Sequence, residues 1–425
     1  MLTQVLPYPP DAGPKIKTFN VLRYLAQEGH EVTLVSFIRS EQERAYARCL
    51  EPYCSEVRMV PLRRSPARDL LHLLRSLVTG QPFLMARDWS DGFLRDLNTA
   101  VAGCCFDLVH ADQLNMAQYA LRVDGIPRIL DEHNAVWTIV HRLFRGQRLG
   151  LKKLALYAEY RKLKRYEAAA CRAFDHILTV SEEDRLALID AGVDSRSMTV
   201  IPIGVDCAEC KIVHRRVGAT SIISLGTMFY PPNVEGVLWF AREVFPLIKS
   251  RLPDIRFCII GARPPIEVRR LAEQDSSITV PGYVSDLAPY VQESAALIVP
   301  LMSGGGMRVK VLEAFAMGIP VVSTTIGCEG INVTPGRELL VADRPSDFAD
   351  SVLRLITDRA LAQGLVGNAL ALVRAQYDWK VACRPVGDVY ASLSHRARPV
   401  GELEPAGVSM ARDGEGRGHQ TRGGR

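Results

Sequence analysis

The chain has 425 residues, of which 48% are hydrophobic, 7% aromatic and 23% charged, with 32 Gly and 25 Pro. This composition excludes collagen-like, coiled-coil and low-complexity proteins and is typical of a soluble globular chain of two or three domains. Lys and Arg number 52 against 47 Asp and Glu, and the net charge of +5 gives no reason to expect a nucleic-acid partner.

We expect neither a membrane-spanning segment nor a secretory signal in this sequence. The longest apolar runs, such as 296–302, have strand length and fall far short of the roughly 20 residues that cross a bilayer. Residues 1–10 lack a charged n-region and an apolar core, which predicts a cytoplasmic location. The ten scattered cysteines predict buried thiols, and we interpret the CxxC of Cys207 and Cys210 as coincidental because no second ligand pair lies nearby.

Short apolar or β-branched runs alternate with helical periods along the chain. After a helical face at 16–25, the first half predicts strands at 31–37, 107–110, 128–131, 176–180 and 199–202. The second half predicts strands at 221–225, 256–260, 296–299 and 320–323, with helices at 233–250 and 307–317. This alternation predicts an α/β fold of two doubly wound, Rossmann-like parallel-sheet domains that face each other across a cleft.

The same pattern predicts the domain limits. We expect an N-terminal domain at 1–202, a linker at 203–219 and a second domain at 220–376. A C-terminal helix at 377–395 is expected to pack back on the first domain. Residues 396–425 contain no aromatic residue and many glycines, which predicts a disordered tail.

The segment 303–320 is the most informative, because a strand leads into the triple glycine Gly304–Gly306 and then into a helix. Unpaired backbone N–H groups and the positive helix end would meet an anion there. Arg308 and Lys310 place two cations in the first helical turn, where the dipole favours acids, and a bound diphosphate would offset that cost. The alternative is a surface contact between Lys310 and Glu313.

Glu313 lies one and a half turns into this helix among apolar residues, where a carboxylate can accept two hydroxyl hydrogen bonds from a ribose. The segment around it, followed by Gly318–Val322, resembles the C-terminal signature of glycosyltransferase family 4, the retaining nucleotide-sugar transferases with the GT-B fold. Further motifs of the family follow in its order: Tyr8-Pro9-Pro10-Asp11-Ala12-Gly13, Asp131-Glu132-His133-Asn134, Val180-Ser181-Glu182-Glu183-Asp184, Pro202-Ile203-Gly204-Val205-Asp206, Gly226-Thr227-Met228, Pro232-Asn233 and Gly282-Tyr283-Val284. The resemblance covers residues 1–390 and is strongest for the bacterial branch of exopolysaccharide assembly, which includes exosortase-associated members.

The resemblance implies a metal-independent hexosyltransferase without a cofactor, whose substrates are a nucleotide sugar and a glycan or lipid-linked acceptor. It implies that three residues at strand ends touch the sugar or the incoming hydroxyl: His110, Asp112 and His133. For each histidine taken alone, a purely structural role at the end of a strand is as good an explanation as contact with substrate. It also implies a donor site in which backbone groups hold the base and Glu313 the ribose, made of Gly13, Gly226, Tyr283, Val284, Gly305, Gly306, Arg308, Lys310 and Glu313.

The chain departs from the family in three places. Gly305 stands where members commonly carry a Glu that contacts the sugar, and Pro14 follows Gly13 where a second glycine is usual. The basic pair after the first strand of the C-terminal domain is missing from 226–230, and we expect Arg308 and Lys310 to supply that charge. The departures leave two alternatives open: a catalytically degenerate nucleotide-sugar-binding subunit and a GT-B nucleotide-sugar epimerase.

Positive charge is concentrated in the predicted N-terminal domain. Residues 141–174 contain ten Lys or Arg against two Glu, a net charge of +8, with apolar residues at helical spacing. Residues 62–77 add four more arginines. The pattern predicts a basic amphipathic surface that contacts an anionic membrane, which would place the protein peripherally on the inner membrane face. The alternative is a solvated charged face.

Overall fold

The computed structural model describes residues 1–62 and 64–397. The predicted disordered tail beyond Ala397 lies outside the described residues, as does Arg63 of the predicted basic surface. The described chain folds around two separate sheets in which all strand pairs are parallel. The predicted fold class is therefore confirmed.

The first sheet has seven strands in the order β3-β2-β1-β4-β5-β6-β7, with the reversal of strand order between β1 and β4. Ligands of such sheets bind beyond the carboxyl ends of the strands at this reversal. Its strands are β1 (Leu2–Thr3), β2 (Thr33–Ile38), β3 (Glu56–Pro61), β4 (Val109–Asp112), β5 (Arg128–Glu132), β6 (His176–Thr179) and β7 (Met198–Val200).

The second sheet repeats this arrangement with six strands in the order β10-β9-β8-β11-β12-β13, so its reversal lies between β8 and β11. Its strands are β8 (Ser221–Leu225), β9 (Arg256–Ile260), β10 (Ile278–Gly282), β11 (Ser294–Val299), β12 (Val321–Ser323) and β13 (Leu340–Val341). Below, "N-half" means the part of the chain around the first sheet, and "C-half" the part around the second.

Helices cover both faces of each sheet. Those of the N-half are α1 (Gly13–Gln27), α2 (Ala47–Leu50), α3 (Pro66–Thr79), α4 (Phe83–Arg87), α5 (Asp91–Gly103), α6 (Leu114–Ala120), α7 (Val136–Gly146), α8 (Leu151–Ala173) and α9 (Glu182–Asp190). The later ones are α10 (Pro231–Trp239), α11 (Phe245–Arg251), α12 (Ile266–Gln274), α13 (Ala288–Gln292), α14 (Val309–Met317), α15 (Pro345–Thr357), α16 (Arg359–Leu372), α17 (Trp379–Ala382) and α18 (Arg384–Ala397). Short 3₁₀ turns lie at Glu41–Tyr46, Ser195–Ser197 and Ile326–Cys328, and π-helical turns at Phe240–Val244 and Val373–Tyr377.

Two predicted helices differ from the observed ones. The expected helix at 233–250 begins at Pro231 and is interrupted by the π-helical turn Phe240–Val244. The expected helix at 307–317 begins only at Val309, with Arg308 as its N-cap residue. Arg308 therefore precedes the first helical turn, and its backbone belongs to the glycine loop.

The last helices of the chain pack on the N-half. Trp379, Val386, Tyr390 and Leu393 share one buried cluster with Leu22 of α1 and with residues of β2, β5 and β6. Residues of α17 and α18 thus form the second apolar cover of the first sheet. The predicted domain limits remain a prediction, which limited proteolysis would test.

Two chain segments run side by side between the halves. The Val205 carbonyl accepts a hydrogen bond from the Trp379 backbone N–H, and the Val205 N–H donates to the Tyr377 carbonyl. The two segments that connect the halves therefore form one short parallel β-bridge. A side chain on Gly204 would place its Cβ 2.7 Å from the Tyr377 carbonyl oxygen, which explains the glycine. Any movement of one half against the other must bend at this bridge.

Candidate functional site

In the C-half, the loop after β8 and the start of α14 meet at Gly226. A Cβ on Gly226 would lie 2.7 Å from Lys310 Nζ and 2.8 Å from Asn233 Nδ2. Lys310 donates to Asn233 Oδ1 over 2.9 Å, and Asn233 Nδ2 donates to the Thr227 carbonyl over 3.0 Å. The ammonium therefore stands at the carboxyl end of the central strand β8.

Lys310 is a half-buried cation. Burial, followed by the neighbouring Arg308 charge, lowers the pKa of Lys310 to about 8, although Glu313 opposes the shift. Among the described residues Lys310 takes part in no salt bridge, and neither does Arg308. Buried charges in proteins are normally paired. Two adjacent cations that form no salt bridge with a carboxylate are the arrangement of an anion site.

The glycine loop and Arg308 lie beside this ammonium. Gly304 has φ 109° and Gly306 has φ 80°, values that favour glycine. Arg308 is 7% exposed and donates through Nη1 to the Gly305 carbonyl over 2.5 Å. Its Nε and Nη2 have no hydrogen-bond partner within the described part of the chain. These N–H groups are available to an incoming anion.

The remaining donor-site candidates of the C-half surround the same edge. Glu313, one turn along α14 from Lys310, is half-buried, and burial raises the pKa of its carboxyl group while Lys310 lowers it. Tyr283 follows β10 and is 77% exposed, whereas Val284 is half-buried against the core. Gly261, which follows β9, was missed by the sequence analysis: its Cβ would overlap the Gly226 carbonyl oxygen.

In the N-half, the carboxyl ends of β4 and β5 bring Asp112 and His133 together. His133 Nε2 lies 3.0 Å from Asp112 Oδ1, and Thr18 Oγ1 donates to the same oxygen over 2.9 Å. His133 Nδ1 has no partner among the described residues. With Nε2 protonated toward the carboxylate, Nδ1 is left as an acceptor, so the ring is oriented and has one nitrogen available to substrate.

A buried ion pair that the sequence analysis missed lies beneath this histidine. Lys17 of α1 and Asp131 of β5 are both 0% exposed and form a salt bridge. Burial alone would raise the pKa of Asp131, but Lys17 and the nearby histidines outweigh it and hold that pKa well below its usual range. Lys17 lies on the inner face of the amphipathic helix α1. Nothing in the sequence pattern indicates that this lysine is buried in an ion pair.

Glu132 lies between Asp131 and His133 and is fully buried. Neither of its carboxylate oxygens has a hydrogen-bond partner among the described residues. Burial, reinforced by the negative charge of Glu167 and Asp131, raises the pKa of Glu132 well above its usual range. Its burial, with no hydrogen-bond donor from the described chain, therefore disfavours the ionised form of Glu132.

The structure places His110 between Tyr390 of α18 and the buried carboxylate of Asp131. Its Nδ1 lies 2.7 Å from the Tyr390 hydroxyl of α18, and its ring is 1% exposed. It borders a cavity of about 800 Å³ that is lined by residues at the amino ends of β2 and β3, opposite the carboxyl-end site. His110 and Asp112 are both buried, at 1% and 0% exposed, and their contact with substrate remains a prediction.

The last candidate, Gly13, is the first residue of α1 and is half-buried. A Cβ there would meet no atom within 4 Å, so open space surrounds it. Pro14 follows as the second helical residue, where its missing N–H costs no helical hydrogen bond. The backbone of Gly13 is accessible to a ligand, and its role in donor or acceptor binding remains a prediction.

The two half-sites touch each other. A Cβ on Gly306 would lie 2.8 Å from Asn134 Oδ1, next in sequence to His133. A cavity of about 90 Å³ at this contact is lined by Asn134, Thr138, Ser181, Glu183, Gly305 and Gly306, among others. Cavities that hold drug-sized ligands measure roughly 300 Å³ or more, so the two halves are closed on each other at this contact.

Three buried groups in the described chain offer metal-ligand atoms within 4.8 Å of one another: His110, Asp112 and Asp131. Asp131 is already neutralised by Lys17, and Asp112 accepts hydrogen bonds from Thr18 and His133. A cation at this place would stand beside the Lys17 ammonium. The donor set therefore fits a hydrogen-bonded ion network better than a metal centre.

Two parallel α/β sheets, each with its site at the carboxyl ends of the strands, are the architecture of the GT-B fold. Comparison with known families agrees: residues 17–209 match the family model "Glycosyltransferase Family 4", and residues 219–358 match "Glycosyl transferases group 1". The two matches together cover most of the chain. The chain belongs to glycosyltransferase family 4.

Two relatives illustrate this membership. An uncharacterized 44.6 kDa protein in the cps region of Klebsiella pneumoniae is 24% identical over 387 residues, which cover 88% of this chain and 95% of that protein. D-inositol 3-phosphate glycosyltransferase of Corynebacterium jeikeium is 30% identical over 158 residues, 36% of this chain and 31% of that protein.

Solved structures share the fold over almost the whole chain. HepE from Anabaena, crystallised in complex with UDP and glucose, aligns with a TM-score of 0.63 at 12% identity over 92% of this chain and 99% of that one. WaaG, described as a glycosyltransferase involved in lipopolysaccharide biosynthesis, aligns with a TM-score of 0.62 at 12% identity over the same shares. At this identity the likeness establishes the GT-B fold.

Proposed function

We propose that the chain is a retaining, metal-independent hexosyltransferase that moves a sugar from a nucleotide-sugar donor to a glycan or lipid-linked acceptor in polysaccharide assembly. The observation that carries the proposal is the pair of adjacent cations formed by the buried Arg308 and the half-buried Lys310. Neither forms a salt bridge among the described residues, and two Arg308 nitrogens there lack a hydrogen-bond partner. A diphosphate would satisfy both the charges and the open donors.

The rest of the donor follows from the positions around this pair. The diphosphate lies between Gly226 and the glycine loop, close to Lys310. Glu313, half-buried and one turn further along α14, accepts the ribose hydroxyls. The base reaches the backbone at Tyr283 and Val284 beyond β10, an exposed edge that tolerates a large planar group.

In the transfer step, the bond between the anomeric carbon and the diphosphate oxygen breaks, and the acceptor oxygen bonds to the same face of that carbon. The acceptor proton passes to the departing diphosphate oxygen, so no separate base and no added cofactor is required. Arg308 and Lys310 stabilise the charge that develops on the leaving group. His133, oriented by Asp112, accepts a hydrogen bond from a sugar or acceptor hydroxyl through Nδ1.

The polysaccharide context rests on relatives. The Klebsiella protein lies in a cps region, and the structural neighbour WaaG is described as acting in lipopolysaccharide biosynthesis. Together with the exopolysaccharide branch that the motifs resemble, these relatives favour an acceptor that is a growing glycan on a lipid carrier. We place the protein on the cytoplasmic face of the inner membrane.

A basic and apolar surface fits that acceptor. We call it the α3/α8 surface; its exposed apolar residues are Leu70, Leu71, Leu73, Leu74, Val78, Leu143, Leu149, Leu151, Leu154 and Tyr157. Lys162 of α8 donates to the Ser76 hydroxyl and carbonyl of α3 at 2.9 and 3.0 Å, which joins the two helices. The +8 charge of residues 141–174 complements anionic lipid.

Among the described residues, every helix is too short or too polar to cross a bilayer. The proposal therefore assigns contact with the membrane to the α3/α8 surface. Exposed leucines flanked by lysines and arginines are the composition of helices that lie at a lipid interface.

The experiment that tests the proposal is a nucleoside diphosphate release assay. A panel of UDP-, GDP- and ADP-sugars is screened by thermal shift, since a bound donor raises the unfolding midpoint. The donor that binds is then incubated with and without lipid-linked glycan acceptors. Release that depends on acceptor, with retained anomeric configuration in the product by NMR, supports the proposal. Binding without turnover points to the degenerate subunit, and release of an isomerised nucleotide sugar to the epimerase.

A further inference from the structure

Arg142 of α7 crosses from the N-half to the glycine loop of the C-half. Its Nη1 donates to the Gly304 carbonyl over 3.0 Å and to Glu329 Oε2 over 3.0 Å. Its Nη2 donates to Glu329 Oε1 over 2.5 Å. The two guanidinium nitrogens thus grip both carboxylate oxygens, the most directional form of an ion pair.

This ion pair is distinctive for its place in the molecule. Among the salt bridges of the described residues, only Arg142–Glu329 joins the part of the chain around the first sheet to that around the second. Arg23–Asp206 links α1 to the segment after β7, and the other pairs lie within one half. Separation of the halves must break the Arg142 contact.

The other glycines of the loop meet the N-half in the same way. A Cβ on Gly305 would lie 3.4 Å from Arg142 Nη1 and 3.8 Å from Ile139 Cγ1, one turn earlier on α7. Gly306 lies against Asn134, and Arg308 binds the Gly305 carbonyl from within the C-half. The loop is therefore held from both sides only while the halves are closed.

We propose that Arg142 is a positioning residue of the transfer reaction: on closure it fixes the Gly304 carbonyl and neutralises Glu329 beside the diphosphate site. This inference rests on the proposed function. Glu329 without its partner would place a negative charge on the cavity that also contains Glu183 and the glycine loop, and would repel a diphosphate. Helix α7 also contains Leu143 of the α3/α8 surface. The same helix therefore contacts the glycine loop and contributes to the proposed lipid-binding surface.

Because the contact exists only in the closed state, its loss affects the chemical step more than the first encounter with donor. Arg142→Ala is expected to lower kcat by roughly ten- to a hundredfold and to leave the KM for donor within about threefold, because loop misplacement on the order of 1 Å costs up to a hundredfold. The charge swap Arg142→Glu with Glu329→Arg is expected to recover most of the loss. Arg251→Ala, which breaks the exposed Arg251–Asp350 pair within the C-half, is the matched control.

Hydrogen exchange of the unliganded protein tests the same contact without any donor. Residues 303–307 are expected to exchange faster in Arg142→Ala than in wild type or Arg251→Ala, and to regain protection in the charge swap. Arg142→Gln serves as a second variant, and circular dichroism checks that each variant is folded. Unchanged exchange in both single variants, or faster exchange that the swap does not reverse, would overturn the inference. If neither the wild type nor any variant released nucleoside diphosphate, the proposed function would be wrong. The hydrogen-exchange result would still test the Arg142 contact in that case.

Discussion

Lys310 Nζ donates a 2.9 Å hydrogen bond to Asn233 Oδ1, which ties the first turn of α14 to the first turn of α10. Asn233 in turn donates to the Thr227 carbonyl, so one amide group fixes both the loop after β8 and the first turn of α14. A neutral amide is the strongest partner that Lys310 has, and its positive charge therefore remains available to a ligand.

The first prediction concerns pH. The pKa of Lys310 is lowered to about 8 by burial and by Arg308, so its ammonium is charged at pH 7 and loses its proton as pH rises through 8. Above that value the charged fraction falls about tenfold per pH unit, and nucleoside diphosphate affinity is expected to fall with it. Isothermal titration at pH 7, 8 and 9 measures this.

Lys310→Arg is the control for that experiment, because a guanidinium stays protonated throughout the range. The affinity of Lys310→Arg for the same nucleotide should be nearly constant between pH 7 and 9. A change in affinity caused by titration of the nucleotide itself would appear in both proteins. Equal pH dependence in both proteins would show that Lys310 does not bind the diphosphate.

The second prediction concerns Gly306, which has φ 80° and would place a Cβ 2.8 Å from Asn134 Oδ1. Gly306→Ala is expected to lower kcat/KM at least about tenfold, because either the loop or the Asn134 side chain beside His133 must shift to relieve the clash. Gly336→Ala is a matched control, since Gly336 has φ 83° and no atom within 4 Å of its Cβ position. Both variants should lose roughly 1 to 2 kcal/mol of stability to backbone strain, and only the first should lose activity.

The third prediction concerns the buried ion pair of Lys17 and Asp131. Removing one partner leaves an uncompensated charge, so Lys17→Met is expected to lower the free energy of unfolding in urea by about 3 to 5 kcal/mol. The double change with Asp131→Leu should restore most of this. Lys15→Met, which breaks the partly exposed Lys15–Asp11 pair on the same helix, should cost less than about 1 kcal/mol.

The pH dependence of stability gives that pair a second test. Lys17 holds the pKa of Asp131 well below its usual range, so the pair stabilises the fold above the unfolded pKa of a carboxyl group, about 4. This contribution is lost as pH falls below that value. In Lys17→Met, the loss of unfolding free energy at acid pH that comes from Asp131 should become smaller or change sign. If the free energy of unfolding fell with acid in the same way in both proteins, Lys17 would not be the group that lowers the pKa of Asp131.

The fourth prediction concerns the α3/α8 surface. Wild-type protein should cosediment with phosphatidylglycerol vesicles at low salt, and binding should weaken as salt rises, because each basic residue near the surface contributes about 1 kcal/mol. Replacing Arg148, Lys152 and Lys153 by Gln should reduce binding on the order of a hundredfold. The same change at Arg256, Arg269 and Arg270, exposed on the C-half, is the control. Equal loss in both triple variants would rule out a dedicated surface.

The sequence predicted the elements whose pattern is strongest. Strands β8 and β9 were predicted at their observed bounds, because both are buried and read as continuous apolar runs. The edge strands β3 and β10 were missed, since half-exposed residues interrupt their apolar pattern. Fold class was therefore predictable from the buried strands alone.

The candidate site was predicted where the local chain itself carries the signal. A glycine loop followed by Arg308 and Lys310 is visible in ten residues of sequence. Contacts between distant segments were not: Lys17 meets Asp131 across 114 residues, and Arg142 meets Glu329 across 187. Only the packing of α18 shows that His110 contacts Tyr390.

The central claim is that Arg308 and Lys310 bind the diphosphate of a nucleotide sugar. The most direct measurement is calorimetric titration of UDP, GDP and ADP into wild type and into the double variant Arg308→Gln with Lys310→Met. We predict that at least one nucleotide binds wild type and that the double variant binds it at least about a hundredfold more weakly, as expected for the loss of two charge-assisted contacts. Equal affinity in the two proteins would contradict the account.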